Sequence, residues 1–212
     1  MPIFKIKNQT VFFNHIPRCG GTSIENYLFQ CGAIIAFYDN KLYDITEQNR
    51  WNKSSPQHID GASFGRLFSE KFFDRRFVIS RHPVSKYKSA FTYQKFTAKN
   101  IPIELSLDNF TKLYLKQETQ RFGKYDNHFL PQNFFLTNNW TYDFFKFESG
   151  LDFVKKYIDK NIVGEIFSET MPHIHKSSQE IHKDIDMKLS LESKQLILEV
   201  YKDDFKIFKY SV

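Results

Sequence analysis

The sequence predicts an α/β fold, a three-layer sandwich in which a central, mainly parallel β-sheet is flanked by helices. Runs of β-branched and aromatic residues at 10–16, 34–38 and 76–80 predict short buried strands. Segments with helical periodicity lie between and after these runs. Strands that alternate with helices are typical of a parallel sheet, because parallel strands need long crossover connections. The 212 residues fit one domain, residues 1–212.

The composition predicts a compact protein with an anionic partner. Aromatic residues make up 17% of the chain, with 24 Phe against 8 Gly and 7 Pro, which is unlike a disordered sequence. The formal net charge of +6 suits a nucleotide, an anionic glycan, a nucleic acid or a membrane surface. No block of five or more basic residues occurs, so the pattern argues against nucleic acid as the partner.

The cysteine content and the length of the apolar runs indicate where in the cell the protein is located. Cys19 and Cys31 are too few for a disulfide framework and lack metal-binding spacing. Residues 1–5 alternate polar and apolar side chains and lack the continuous apolar core of a signal peptide. No run approaches the roughly 18–20 apolar residues of a membrane span. We therefore expect a cytoplasmic protein without a membrane span.

The chain opens with a strand, a glycine loop and a helix. The strand at 10–16 is broken by residues 17–21, and Thr22 and Ser23 are expected to cap the helix that follows. The apolar stripe of this helix consists of Ile24, Tyr27, Leu28 and Cys31. Pro83 is expected to open a second helix directly after the strand at 76–80.

The remaining elements complete the predicted layers. Residues 106–136 are expected to be helical and belong to an acceptor-side or lid region around 98–140. The other predicted elements are a polar loop at 39–56, a short helix at 62–68, a strand at 142–148, a helix at 151–158 and a long amphipathic helix at 191–208.

The loop HIPRCGGTS after the first strand has the features of an anion site. Gly20 and Gly21 let the backbone bring its N–H groups against an anion at the start of a helix. Arg18 adds a guanidinium that can hold phosphate or sulfate oxygens, and the hydroxyls of Thr22 and Ser23 can donate as well. The same residues would also form an ordinary tight connection between a strand and a helix.

The segment 81–89, RHPVSKYKS, predicts a second anion contact. Arg81 leaves the sheet at the carboxyl end of its strand, where ligands bind in open α/β sheets. Ser89 follows about two helical turns later. The glycine loop is not a Walker A motif, because no Lys precedes its hydroxyls. Arg81 stands where a magnesium-binding Asp would be expected, which favours metal-free handling of the anion. A surface or ion-paired role for Arg81 is the alternative.

Together these two segments resemble the sulfotransferase superfamily. HIPRCGGTS is similar to the family's 5′-phosphosulfate loop HIPKTGGTS, and RHPVSKYKS is similar to its 3′-phosphate motif RxPxxxxxS. Further matches to the carbohydrate-sulfating branch, which includes the heparan and chondroitin enzymes and bacterial relatives, are SPQH at 55–58, YDFFKFE at 142–148, MPHIHKS at 171–177 and the aromatic pattern at 201–210. The departures are Arg18 in place of Lys, Lys86 and Lys146 in place of Arg, and His175 in place of Asn.

The resemblance implies a P-loop-like fold, a donor and a set of roles. The donor would be 3′-phosphoadenosine 5′-phosphosulfate (PAPS), the product 3′-phosphoadenosine 5′-phosphate (PAP), and no metal would be required. Arg18 and the loop amides would stabilise charge on the 5′-phosphate, Arg81 and Ser89 would anchor the 3′-phosphate, and Lys176 and Ser177 would close over the nucleotide. The predicted cofactor-binding residues are Arg18, Cys19, Gly20, Gly21, Thr22, Ser23, Arg81, Ser89, Lys176 and Ser177. The acceptor would be a hydroxyl, by analogy that of a glycan.

His58 is the predicted catalytic base and Arg18 the predicted leaving-group residue. A neutral imidazole is available at cytoplasmic pH, although a loop histidine without a partner is the plainer interpretation of His58. His15 is the rival base, and its place in an apolar strand favours a core residue bonded to the backbone. Cys19, at a helix N-terminus beside Arg18, is expected to have a lowered pKa. His173, His175 and His182 lack a carboxylate or Cys that would complete a metal site.

Two other functions are open at this point. One is a non-catalytic nucleotide-binding module, because arginine at position 18 cannot donate a proton as lysine can. The other is a metal-dependent P-loop kinase, which the missing Walker lysine and Asp disfavour.

Overall fold

The computed structural model describes residues 1–117, 122–168, 170–171 and 187–212 and contains a five-stranded sheet. The strands are β1 (Ile3–Ile6), β2 (Gln9–Asn14), β3 (Ile34–Ala36), β4 (Arg75–Ser80) and β5 (Asp143–Lys146), in the order β3-β1-β2-β4-β5. β2, β4 and β5 pair in parallel, and β1 pairs antiparallel with both β2 and β3. Four of the five strands therefore run in one direction, and the predicted α/β fold with a mainly parallel sheet is confirmed.

Helices cover both faces of this sheet. They are α1 (Gly21–Gln30), α2 (Gly61–Leu67), α3 (Pro83–Thr92), α4 (Leu107–Leu115), α5 (Leu151–Ile158), α6 (Leu191–Val200) and α7 (Lys202–Ile207). Phe12 of β2 stacks on Phe64 of α2, with ring centroids 4.4 Å apart. On the opposite face, Phe77 of β4 packs against Tyr157 of α5, with ring centroids 5.7 Å apart. Because successive side chains of a strand point to opposite faces, Phe13 lies with Phe77, and the sheet is the middle of three layers.

A second apolar cluster joins the helices beyond the sheet. Its buried members are Tyr87, Ala90, Phe91, Ile101, Leu107, Phe110, Tyr114, Leu115, Phe129, Ile197, Tyr201 and Phe205. They come from α3, α4, α6, α7 and the segments between them. This cluster fixes α3, which carries Ser89 on its buried side.

Two predicted helices are shorter than the sequence suggested. The helix expected at 106–136 ends at Leu115, and two short 3₁₀ turns, Lys124–Asn127 and Gln132–Phe135, follow later in that segment. Tyr125, Asp126 and Asn127 have φ of 50°, 53° and 59°, the left-handed region, which an α-helix cannot contain. The long helix expected at 191–208 is divided between α6 and α7 at Tyr201.

The C-terminal segment braces the end of β4. The Asp204 carboxylate accepts the backbone N–H groups of Gln132 and Asn133, each at 2.8 Å. The Gln132 side chain in turn accepts the Arg81 N–H at 2.9 Å and donates to the Arg81 carbonyl at 2.7 Å. On the other side of this turn, Tyr210 donates to Glu148 at 2.9 Å, and Glu148 accepts the His82 N–H at 2.7 Å. The backbone around Arg81 is therefore fixed from both sides.

Lys86 of α3 is fully buried. Its Nζ donates to the carbonyls of His128 and Leu130, each at 2.8 Å. Burial lowers the pKa of Lys86 from its ordinary 10.5 to about 8. A neutral amine still has two N–H donors for the two carbonyls, so deprotonation keeps both bonds.

Lys86 should make stability depend on pH in the alkaline range. Below about pH 8 the folded and unfolded states are both protonated at Lys86, and the buried charge is unfavourable. Between about pH 8 and 10.5 the unfolded state holds the extra proton, so the free energy of unfolding rises with pH. Relative to Lys86→Met, wild type should gain about 2–3 kcal/mol between pH 7.5 and 10 in urea unfolding. Lys88→Met is the matched control, and equal pH slopes for wild type and Lys86→Met would contradict this assignment.

Candidate active site

An open cavity of about 970 Å³ lies at the carboxyl ends of the three parallel strands. Arg18 lies in the loop after β2, Arg81 follows β4, and Phe147 follows β5, and all three line the cavity. The other predicted residues on its wall are Gly20, Gly21, Thr22, Ser23, His58 and Ser89, together with the rival base His15. The fold therefore brings together segments that are far apart in the sequence, at the edge where ligands bind in open α/β sheets.

The glycine loop turns sharply through two left-handed residues. Arg18 has φ of 68° and Gly20 has φ of 85°, and α1 begins at Gly21 with Gly20 as its N-cap. The expectation that Thr22 and Ser23 cap the helix is wrong, because both already lie within its first turn and no side chain of the described residues caps it. The Ser23 N–H bonds the Gly20 carbonyl at 3.1 Å, so the hydroxyls of both residues and the N–H groups of Gly21 and Thr22 are left for a ligand in the cavity.

Gly21 is required where the His15 ring lies against α1. A Cβ at Gly21 would come within 1.9 Å of His15 Nε2. The His15 ring cannot easily move away, because its Nδ1 is 2.6 Å from Glu25 Oε1 and the whole side chain is buried. The absent side chain at position 21 thus allows a histidine to approach the glycine loop closely.

Gly21→Ala should therefore destabilise the protein through one identifiable clash. We expect a loss of about 1–3 kcal/mol in the free energy of unfolding, the usual cost of overpacking. The double variant Gly21→Ala/His15→Ala should be more stable than the sum of the two single changes predicts, because the clash is gone. Urea unfolding of the four proteins measures this coupling. Strict additivity would show that the clash is not with His15.

The two arginines are linked to each other and have no acidic partner within the described residues. Arg18 Nε donates to Ser89 Oγ at 3.2 Å, and the guanidinium lies 4.6 Å from the Tyr93 ring centre. Arg81 donates to the Arg18 carbonyl at 3.2 Å and stacks on Phe147 at 4.6 Å. Burial lowers the pKa of Arg18 to about 10, so its side chain is protonated at neutral pH. Ser89, predicted to act with Arg81, is bonded to Arg18.

Cys19 does not behave as the sequence suggested. Its thiol is buried away from the cavity, with Sγ 3.7 Å from the Pro17 carbonyl and 3.6 Å from Gln132 Oε1. Burial raises the pKa of Cys19 to about 12, so the expected lowering is wrong. Loss of solvation outweighs the attraction of the nearby Lys86 and Arg81 charges. The backbone N–H of Cys19 still belongs to the glycine loop, so only a backbone role remains for it.

His58 has the carboxylate partner that a general base needs. Its Nδ1 lies 2.7 Å from Asp126 Oδ2, and Asp126 is itself held by the Ser55 N–H at 2.7 Å and the Ser55 hydroxyl at 2.9 Å. Burial acts to raise the pKa of Asp126, but the His58 charge and hydrogen bond lower it below its usual range. An ionised Asp126 favours the tautomer with the proton on Nδ1 and leaves Nε2 of His58 free to accept one.

His15 also has a carboxylate partner, whereas the sequence analysis favoured a backbone partner. Its Nδ1 lies 2.6 Å from Glu25 Oε1, and its ring meets that of His58 edge to face at 4.8 Å. Burial lowers the pKa of His15 more strongly than Glu25 raises it. Both candidate bases are therefore neighbours on one wall, each oriented by its own acid.

Asp126 and His128 were not predicted as site residues from the sequence. The buried His128 ring lies 5.2 Å from the ring of His58 and 5.0 Å from that of Tyr93. Burial, with the nearby His58, holds the pKa of His128 well below its usual range. Both residues lie in the segment predicted as a helix, where positions 126 and 128 would face different sides. The Asp-x-His spacing was the only signal that could have indicated them.

A metal ion is the other possible use of these side chains. His58, Asp126 and His128 offer ligand atoms within 4.8 Å of one another, the one such group in the part of the chain that the structure describes. Both Asp126 oxygens already accept hydrogen bonds, from His58, Ser55 and Tyr43. The positive Arg18 and Lys86 also act on His128 and disfavour a cation there. The geometry fits hydrogen bonding better than metal binding.

Lys176 and Ser177, predicted to close over the nucleotide, lie outside the described residues, as do His173, His175 and His182. Across the described ranges, no helix has both the length and the apolar content needed to cross a membrane.

The fold and cavity define an α/β protein whose arginines and paired histidines meet at the carboxyl ends of parallel strands. A protein-family model described as "Sulfotransferase family" matches residues 2–211, which is nearly the whole chain. The chain therefore belongs to the sulfotransferase family, as its motifs predicted. No curated protein and no solved structure matches it.

Proposed function

We propose that this protein transfers a sulfuryl group from PAPS to a hydroxyl of a carbohydrate acceptor and releases PAP. The observation that carries the proposal is the meeting of both predicted anion-binding segments with a carboxylate-paired His58 in one cavity. Membership of the sulfotransferase family supports the reaction class. The donor, the acceptor and the residue roles are our proposal.

The two phosphate groups of the PAPS donor would each contact one of the two arginines. The first N–H groups of α1 and the guanidinium of Arg18 suit a 5′-phosphate, because helix N-termini and arginine both favour phosphate oxygens. Arg81 would hold the 3′-phosphate, and Ser89, which bonds Arg18 and lines the same cavity, would contact it as well. Lys176 and Ser177 stay predicted contacts to the nucleotide.

In the proposed reaction His58 would act on the acceptor and Arg18 on the leaving group. Nε2 of His58 takes the acceptor hydroxyl proton as the oxygen forms its bond to sulfur, and Asp126 stabilises the imidazolium. The bond between sulfur and the bridging oxygen breaks, and its electron pair stays on the 5′-phosphate. Arg18 stabilises this charge but transfers no proton. None of these steps uses a metal ion.

The remaining wall of the cavity suits a sugar. Its aromatic and amide side chains are Tyr38, Asn40, Tyr43, Gln57, Gln94 and Asn100. Aromatic faces stack against sugar rings, and amides both donate and accept hydrogen bonds to hydroxyls. Ala98, Asn100, Asp126 and His128 line the cavity, which supports our proposal that the region around 98–140 contacts the acceptor. The cytoplasmic location stays a prediction.

A non-catalytic nucleotide-binding module is the second candidate. Arg18 in place of the family's usual lysine is the feature that favours it. Such a module would bind PAP but would not consume labelled PAPS with any acceptor. Turnover with a panel of desulfated glycans separates the two functions.

Binding of PAP tests the donor site directly. After dialysis against a chelator, PAP should raise the melting temperature, because a ligand that binds only the folded state stabilises it. ATP with magnesium should do less. Arg81→Ala should weaken PAP binding by about 2–4 kcal/mol, because a buried charged contact is lost. Arg75→Ala, at the exposed opposite end of β4, is the matched control.

Two results would count against the donor assignment. Equal melting shifts from PAP and from ATP with magnesium, or a PAP shift that chelation abolishes, would overturn the PAPS proposal. An unchanged affinity of Arg81→Ala for PAP would show that the 3′-phosphate binds elsewhere.

A further inference from the structure

His128 lies between the residues proposed to act on the two ends of the reaction. The ring centroids of His128 and Tyr93 are 5.0 Å apart. The guanidinium carbon of Arg18 lies 4.6 Å from the centroid of the Tyr93 ring. On its other side His128 meets the ring of His58 at 5.2 Å. Arg18 faces the leaving phosphate and His58 the attacking hydroxyl. In an in-line displacement the transferring group lies between these two, which is the region that His128 borders.

The surroundings of His128 also determine which of its nitrogens carries the proton. Nδ1 is enclosed and has no hydrogen-bond partner among the residues that the structure describes. A buried N–H without a partner is rarer in proteins than a buried acceptor without one, so the favoured tautomer leaves Nδ1 unprotonated. The proton is then on Nε2, which is the ring nitrogen available to a ligand in the cavity that His128 lines. His128 therefore offers a hydrogen-bond donor.

The neighbouring histidines thus have opposite roles. The 2.7 Å contact with Asp126 favours the His58 tautomer that has its proton on Nδ1 and leaves Nε2 as an acceptor. Within the described ranges His128 has no carboxylate partner of its own, and the positive Arg18 and Lys86 nearby oppose a second proton on its ring. One imidazole can take a proton while the other stays neutral and donates. That combination fits a reaction with one proton to remove and one polar group to hold.

We propose that His128 is a further catalytic residue, whose Nε2–H donates a hydrogen bond to a non-bridging oxygen of the sulfuryl group during transfer. The inference rests on the proposed sulfuryl transfer and assigns it one more residue. The bond would fix the orientation of the sulfuryl group between Arg18 and His58 and is made only while that group is present. PAP lacks the sulfuryl group, so its binding should not depend on His128.

Kinetics of two variants test this role. His128→Phe keeps a ring for Tyr93 and His58 to pack against but has no N–H, and it should lower kcat/KM by about 10²-fold. Its affinity for PAP should stay within about twofold of wild type. His128→Gln keeps an amide donor and should recover a substantial part of the lost activity. Nitrogen-15 NMR of the PAP complex should show His128 neutral with its proton on Nε2.

Different results would contradict the proposed sulfuryl transfer and the role of His128 within it. A wild-type protein without turnover would overturn the proposed function and this inference with it. An active wild type with an equally active His128→Phe would overturn the inference alone. Parallel losses of PAP affinity and activity, or a proton found on Nδ1, would assign His128 a structural role and overturn it as well.

Discussion

His58→Ala should lower turnover by on the order of 10²–10⁴ while its affinity for PAP stays close to that of wild type. In the proposed reaction His58 acts on the acceptor proton and not on the nucleotide. Asp126→Asn should also lower turnover, because an amide no longer stabilises the imidazolium that forms on His58. Single-turnover rates and PAP titrations of the same preparations measure the two quantities separately.

His15→Ala is the matched comparison, because His15 has the same kind of carboxylate partner on the same wall. It should keep most of the turnover, since His15 is packed against Gly21 and burial holds its pKa down. Normal turnover in His58→Ala together with loss in His15→Ala would assign the base to His15. The Asp126 pairing would then be structural.

Arg18→Ala should damage both binding and rate, with a loss of about 10³-fold or more in kcat/KM. Arg18 would contact the donor before and during transfer, so its removal affects the ground state and the transition state. The loss of packing contributes less than these two effects, because the Arg18 side chain stacks on Tyr93 and, among the described residues, bonds only Ser89. Initial rates over a range of PAPS concentrations separate the two effects.

Arg18→Lys restores the residue more common in the family and should keep substantial activity, because the positive charge stays near the bridging oxygen. The bond from Nε to Ser89 would be lost, so we expect weaker binding than in wild type. Activity in Arg18→Lys as low as in Arg18→Ala would show that the guanidinium geometry matters more than the charge.

Local sequence predicted most of the sheet but not its antiparallel member. Continuous apolar runs such as 76–80 indicate strands buried on both faces. β1 has only four residues, with an exposed Lys5 between Phe4 and Ile6, and such a short alternating run is a weak signal. Its place in the sheet depends on pairing with β2 and β3, which no local pattern reveals.

The candidate site, like the sheet, could be predicted from local sequence only in part. The segments 15–23 and 81–89 were found because their residues are adjacent in the chain. Asp126 reaches His58 only because three successive residues adopt left-handed backbone, held by Asn127, whose side chain bonds the Gly123 N–H and the His58 carbonyl. The pKa of Cys19 was mispredicted for a related reason, because burial depends on packing from distant parts of the chain.

The brace on the Arg81 turn also sets an order for folding during synthesis. The glycine loop, β4 and the Arg81 turn leave the ribosome well before Asp204 and Tyr210, which fix that turn through Gln132 and Glu148. A growing chain therefore carries both arginines before it can hold Arg81 in place. PAPS, as the proposed donor, is accordingly expected to protect the chain from degradation once residues 204–210 have left the ribosome, but to give little help before that point.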